Sequence, residues 1–222
     1  MFQFQRPEVK QYWEKVADDF DSIYSGQKSP FMRFLDRVLR QAMCQRYDLT
    51  LEECKDSTIE SILDIGSGPG RFCCALAPEK ERVIGIDFSR PMIELAKQHA
   101  KELGVEDKCE FLVGDFLETD LSGPFDAVLA MGLFDYIKEP KVFLDKMSSL
   151  LSGKLISTWP TIYSWRMPVR WVRLNLKRCP VYFFTPNQIE QLHQKAGLEI
   201  QRFERIREIY FVVAHKQGKE DA

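Results

Sequence analysis

Ile59-Glu-Ser-Ile-Leu-Asp-Ile-Gly-Ser-Gly-Pro-Gly-Arg-Phe72 decides how this chain folds. Its apolar run, Ile59 to Ile65, breaks into Gly66-Ser67-Gly68-Pro69-Gly70 and resumes as Arg71-Phe-Cys-Cys-Ala-Leu-Ala77. An apolar run that ends in alternating glycines and gives way to helix-compatible residues reads as strand, tight loop and helix. Glycine suits the loop because the backbone there takes unusual φ/ψ values and admits a ligand with no Cβ in the way. The carboxylate of Asp64 stands on the strand just before the turn. Open α/β sheets seat ligands at such carboxyl ends of strands, so the stretch reads as a nucleotide-type binding loop.

Downstream the same rhythm repeats. Arg82 to Asp87 reads as a second buried strand, ending in an acid 21 residues beyond Gly66. Ser89 to Leu103 reads as a helix, with Ser89 as its N-cap and Gly104 ending it. Cys109 to Gly114 is a third strand followed at once by Asp115-Phe116, and Phe125 to Met131 a fourth followed by Gly132-Leu-Phe-Asp-Tyr136. Val142 to Leu151 has helical periodicity, and Gly153 to Trp159 reads as a fifth strand. Strands alternating with helices at this spacing predict βαβ units and a parallel sheet. Right-handed crossovers then bring Gly66, Asp87, Asp115 and Met131 to one edge of it.

After the fifth strand the pattern departs. Thr161 to Thr185 carries Arg166, Arg170, Arg173, Lys177 and Arg178 among aromatic residues and contains no acid. Pro186 to Ala196 reads as a helix, and Leu198 to Phe203 with Ile209 to Ala214 as an antiparallel strand pair closing the sheet. Upstream, residues 8 to 24 place Tyr12, Val16, Phe20 and Ile23 at helical spacing, either a docked helix or a lid over a ligand. Ser29-Pro30 opens a second helix, and Glu52 to Ser57 reads as a polar link. The expected architecture is a Rossmann-like, doubly wound α/β domain: a mostly parallel seven-stranded sheet with helices on both faces. Within residues 1–222 it divides into an N-terminal helical lid (1–50), a ligand-binding core (55–160), a basic and aromatic insert (161–185) and a C-terminal helix with its strand pair (186–216).

Composition bounds what such a domain binds. At 222 residues and 45% hydrophobic content the chain can bury one sizeable core, and a net charge of −2 gives no global field for nucleic acid or anionic membranes. Six cysteines show no CxxC and no metal-ligand spacing with histidine, so reduced thiols and no metal are expected. The N-terminal residues lack the apolar core of a secretory signal, and no run approaches a membrane span, which predicts a cytoplasmic protein. Dinucleotides and S-adenosylmethionine both use a glycine turn followed about 20 residues later by an acid. The dinucleotide fingerprint wants a third glycine where Arg71 stands, and a pyrophosphate would sit poorly beside Asp64. S-adenosylmethionine, with its ammonium and sulfonium, suits a carboxylate there.

At Leu63 to Gly70, Val83 to Ser89, Phe111 to Phe116 and Phe125 to Tyr136 the chain resembles the class I S-adenosylmethionine-dependent methyltransferases, with the four segments in that family's order and spacing. The resemblance spans residues 55 to 160. It implies that Gly66, Ser67, Gly68 and Gly70 let the backbone approach the cofactor while Asp64 orients its ammonium. It also implies that Asp87 accepts both ribose hydroxyls and Asp115 the adenine amino group, with Phe88 and Phe116 against the ring and Met131 at the methionine end. S-adenosylhomocysteine is the implied product. Many small-molecule members carry a histidine where Tyr136 stands here, preceded by Asp135, and these two are the candidate catalytic contacts. His99, His193 and His215 read as surface or core residues.

Tyr12, Arg166, Arg170 and Arg173 are the candidate acceptor-binding residues, suited to a carboxylated or phosphorylated body. Residues 132–136, 154–160 and the downstream arginines are weakly similar to magnesium-protoporphyrin O-methyltransferases, which esterify a propionate. A carboxylate acceptor needs no general base. A solvated basic face, a protein or RNA acceptor, and a non-catalytic cofactor-binding module stay open as readings, and the sequence leaves the oligomeric state open too.

Overall fold

The computed structural model describes residues 43–162 and 180–217. Helix α1, residues 43–54, precedes strand β1 (Ser61–Ile65), and α2 (Arg71–Leu76) leads to β2 (Arg82–Asp87). Helix α3 (Arg90–Glu102) is followed by β3 (Cys109–Val113) and β4 (Phe125–Ala130). Then come α4 (Pro140–Leu150), β5 (Leu151–Pro160), α5 (Pro186–Lys195), β6 (Leu198–Ile206) and β7 (Ile209–Lys216).

These strands form one seven-stranded sheet in the order β3-β2-β1-β4-β5-β7-β6. β1 to β5 pair in parallel, and β7 runs antiparallel to both β5 and β6. β1 and β2 are buried almost throughout, as strands covered on both faces must be. Alternation splits each strand between two cores. Leu63, Ile65, Ile84 and Ile86 join Phe143, Leu144 and Met147 of α4 and Ile189 of α5 on one face. On the other face Ile62, Val83, Ala127 and Leu129 meet Phe72, Ile93 and Ala96 of α2 and α3, with Tyr47 and Cys54 of α1. The doubly wound, Rossmann-like architecture expected from the strand–helix rhythm is therefore present.

Two local expectations are corrected. Glu52 to Cys54 belongs to α1 rather than to a polar link: Cys54 is fully buried, and the half-buried Glu53 reaches the sheet, 3.0 Å from Arg202 Nη1. Ser89 occupies the N-cap of α3, but its side chain makes no capping bond. Pro91 at the second helical position removes one of the two N–H groups a cap can use, the Met92 N–H is left untaken by the Ser89 hydroxyl, and Ser89 is wholly buried. The cap that does form is at α5, where Thr185 Oγ1 accepts from Gln188 N and Gln188 Oε1 accepts from Thr185 N. The expected helices at 8–24 and from Ser29 to Ala42 lie outside the described residues.

Trp159 joins β5 to the segments that flank the sheet's end. Its ring stacks on Phe134 at 3.8 Å and meets Phe184 edge-on at 5.0 Å, while Nε1 donates to Ser157 Oγ at 2.9 Å. The residue is completely buried. Trp159→Ala is expected to cost about 3–5 kcal/mol of folding stability in urea unfolding, the range for a large aromatic lost from a packed core. A loss under about 1 kcal/mol would mean that the three segments hold together without it.

Candidate active site

The carboxyl ends of β1 to β4 meet at one edge, where Gly66, Asp87, Phe88, Gly114, Phe116 and Leu133 line a common cleft. The glycine loop is bent to fit it. Gly66, Gly68 and Gly70 all have positive φ, at 71°, 52° and 72°. At Gly70 a Cβ would lie 2.9 Å from both Ala96 Cβ and the Phe111 ring, so loop and α3 touch through bare backbone. Gly66 N and Ser67 N both donate to Ile86 O, at 2.8 and 3.2 Å, which ties the loop to β2.

Asp87 adds the side-chain tie. Its Oδ2 accepts from Gly68 N at 2.9 Å and its Oδ1 from Ser89 N at 2.8 Å. Burial pushes this carboxyl above the usual carboxylate range, against the pull of those two N–H groups. A carboxylate has about four acceptor sites, so each oxygen keeps one for a ligand hydroxyl. Beneath the loop, Asp64 is 1% exposed, and burial lifts its carboxyl to about 7. The Cys73 thiol, 3.5 Å from Asp64 Oδ2, and the Arg46 charge act downward, while Asp87 acts upward.

Other candidates fall into place around these acids. Asp115 Oδ1 accepts from Leu117 N at 2.9 Å, and its carbonyl accepts from Thr119 N and Oγ1, so the residue opens a turn at the end of β3. Phe116 is buried and stacked on Phe143 at 5.9 Å while also lining the cleft. Past β4, Gly132 N donates to Thr158 Oγ1 at 2.8 Å, and the Thr50 hydroxyl lies 3.4 Å from Met131 Sδ. Asp135 is buried, its carbonyl accepting from Tyr182 N at 2.9 Å, and Tyr136 N donates to Leu133 O. Tyr12, Arg166, Arg170 and Arg173 lie outside the described residues. His193 is a core histidine: fully buried, with Nδ1 2.8 Å from Ile189 O and its ring pushed down to about 4 by burial.

Arg46, Leu133 and Thr158 escaped the sequence reading. Arg46 comes from α1, and its Nη1 stands 3.1 Å from where a Cβ on Gly132 would sit, at the ends of β1 and β4. Leu133 Cδ1 approaches the corresponding point of Gly66 at 3.2 Å. Leu133 and Thr158 lie within segments that carry the resemblance but are not singled out there, and no local motif marks Arg46, which packing across elements brings to the edge. Among the described residues no group of His, Cys, Asp and Glu could hold a metal ion, and no helix is long and apolar enough to cross a membrane.

The chain matches the methyltransferase-domain family over residues 56–197. It is 35% identical over 144 residues to the carboxy-S-adenosyl-L-methionine synthase of Nautilia profundicola, covering 62% of this chain and 55% of that protein. The chain thus spans little more than half of that relative's length. It is 23% identical over 211 residues to the ubiquinone biosynthesis O-methyltransferase of Nitrobacter winogradskyi, covering 88% of this chain and 78% of that one. Magnesium protoporphyrin IX methyltransferase from Synechocystis PCC 6803, solved with bound SAH, superposes with a TM-score of 0.76 at 21% identity, over 94% of this chain and 98% of that one. That likeness is one of fold.

The buried Asp64 carries a stability signature. An acid whose folded value lies above its ordinary 3.8 holds its proton more tightly when folded. Stability is therefore lost as pH climbs from about 4 through about 7, by up to about 4 kcal/mol. Asp64→Asn removes that loss, so its stability advantage over the wild type is expected to grow between about pH 5 and about pH 8. Urea unfolding at both values checks this, and an advantage that does not change with pH would mean Asp64 is already ionised at about pH 5.

Proposed function

The chain belongs to the methyltransferase-domain family, and on that premise we propose that it binds S-adenosylmethionine at the strand ends and transfers its methyl group to a small anionic acceptor. One observation carries the reading: the glycine loop, a buried acid beneath it and a second acid hydrogen-bonded to it share a single edge with Asp115. The charges match the ligand end for end. The ammonium of the methionine moiety faces Asp64, and its carboxylate faces Arg46, whose charge already bears on that acid. The ribose hydroxyls reach the remaining acceptor sites of Asp87. The adenine lies by Phe88 and the edge of Phe116, with Asp115 at its amino group.

The chemistry asks little of the protein beyond placement. An acceptor oxygen gives its lone pair to the methyl carbon, forming the O–CH3 bond, as the carbon–sulfur bond breaks and its bonding pair stays on sulfur, which leaves as S-adenosylhomocysteine. Holding the two in line and excluding water supplies about 7–11 kcal/mol of the barrier reduction. A carboxylate acceptor is already ionised and surrenders no proton, which agrees with Tyr136 in place of a histidine. Tyr136 and Asp135 contact the acceptor, and Tyr12, Arg166, Arg170 and Arg173 bind its anionic groups.

Calorimetric titration tests the cofactor assignment. S-adenosylmethionine is expected to bind and NAD to fail, with Asp87→Ala weakening the first by about 1.5–3 kcal/mol, the value of a hydrogen bond to a charged group. Equal affinity in the variant would remove Asp87 from the ribose. Once an acceptor is in hand, replacing Arg170 and Arg173 together by alanine is expected to raise its KM and leave cofactor affinity unchanged. An unchanged KM would return both arginines to a solvated face.

A further inference from the structure

His99 sits on α3, outside every segment that resembles a cofactor motif, and its Nδ1 lies 3.0 Å from the carbonyl oxygen of Pro69 in the glycine loop. A carbonyl only accepts, so Nδ1 carries the proton and donates. Pro69 is buried and, as proline, brings no N–H of its own, so its carbonyl is the one backbone hydrogen-bonding group it contributes. A buried carbonyl needs a donor, and α3 supplies one.

The same face of α3 makes the other contact with the loop. Ala96 and His99 are three residues apart and so share a side of the helix. Ala96 occupies the space that a Cβ on Gly70 would need, which lets α3 lie against the loop, and His99 takes the carbonyl just before that glycine. Asp87 holds Gly68 N from the β2 end and His99 holds Pro69 O from α3. The two ties act on adjacent residues, one on an N–H and one on a carbonyl, and together fix the loop's turn from both sides.

We infer that His99 is a positioning residue for the cofactor: by holding Pro69 O it keeps the loop in the shape that receives the methionine moiety. This rests on the reading of the loop as the seat of S-adenosylmethionine. It also replaces the surface-or-core assignment that the sequence suggested for this histidine.

The test uses the full chain and three forms: wild type, His99→Asn and His99→Leu. An asparagine amide nitrogen falls close to the place of a histidine Nδ1 and can still donate, whereas leucine fills similar space and cannot. Two measurements are made on each form, amide hydrogen exchange of the 64–76 segment without ligand and calorimetric binding of S-adenosylmethionine. His99→Leu is expected to exchange faster across the loop and to bind about tenfold more weakly, with His99→Asn close to wild type in both. Unchanged loop exchange in His99→Leu overturns the inference. So does faster exchange with undiminished affinity, or an asparagine variant that behaves like leucine. If the wild type itself binds no S-adenosylmethionine, the cofactor assignment fails. The exchange measurement then still decides whether His99 holds the loop, and without binding its role toward that cofactor is refuted.

Discussion

The carboxylate of Asp87 is the point on which this structure turns. It ends β2, accepts from the glycine loop at Gly68 N and accepts from the first residue of the α3 entry at Ser89 N. One side chain therefore sets the distance between two successive βα units at the edge where both deliver their functional groups. Ser89 gains nothing from its own hydroxyl as a cap, so the acid two residues earlier does the orienting. Without this bridge the loop would keep its two bonds to Ile86 O but lose its side-chain registration with β2.

Placing two acids in nearly dry surroundings costs stability, and the cost is informative. Asp64 and Asp87 both titrate above the usual carboxylate range because burial penalises their charge. Neither meets a salt-bridge partner among the described pairs, and the Cys73 thiol is a weak donor to Asp64. Buried acids with raised titration at strand ends are what the proposed binding of an ammonium and of ribose hydroxyls draws on. Packing lies elsewhere: two cores sandwich the sheet, and Trp159 gathers β5, Phe134 and Phe184 into one aromatic cluster.

Much of this was legible in the sequence because local patterns carried it. β2 falls where the apolar run from Arg82 to Asp87 put it, and β1, β3 and β4 end at the acids and glycines that mark the edge. The errors have a common origin. Glu52 and Glu53 look like a linker by composition, yet they belong to a helix whose buried side includes Thr50 and Cys54, and Glu53 pairs with Lys154 and Arg202 of the sheet. Ser89 looks like a cap, yet its side chain makes no capping bond and its N–H is taken by the Asp87 carboxylate. Arg46 and His99 show no local pattern at all, since each acts across space, Arg46 beside Gly132 far along the chain and His99 on Pro69 of the glycine loop.

On the proposed function, this edge holds a methyl donor aligned with a small anionic acceptor. The most direct test incubates the chain with S-adenosylmethionine labelled in its methyl group and an extract of its own source, alongside the Asp87→Ala variant. The prediction is label in a small acidic compound, absent with the variant and released by mild base as a methyl ester would be. Label in protein or nucleic acid, or tight binding of the donor with no transfer to any fraction, would contradict it.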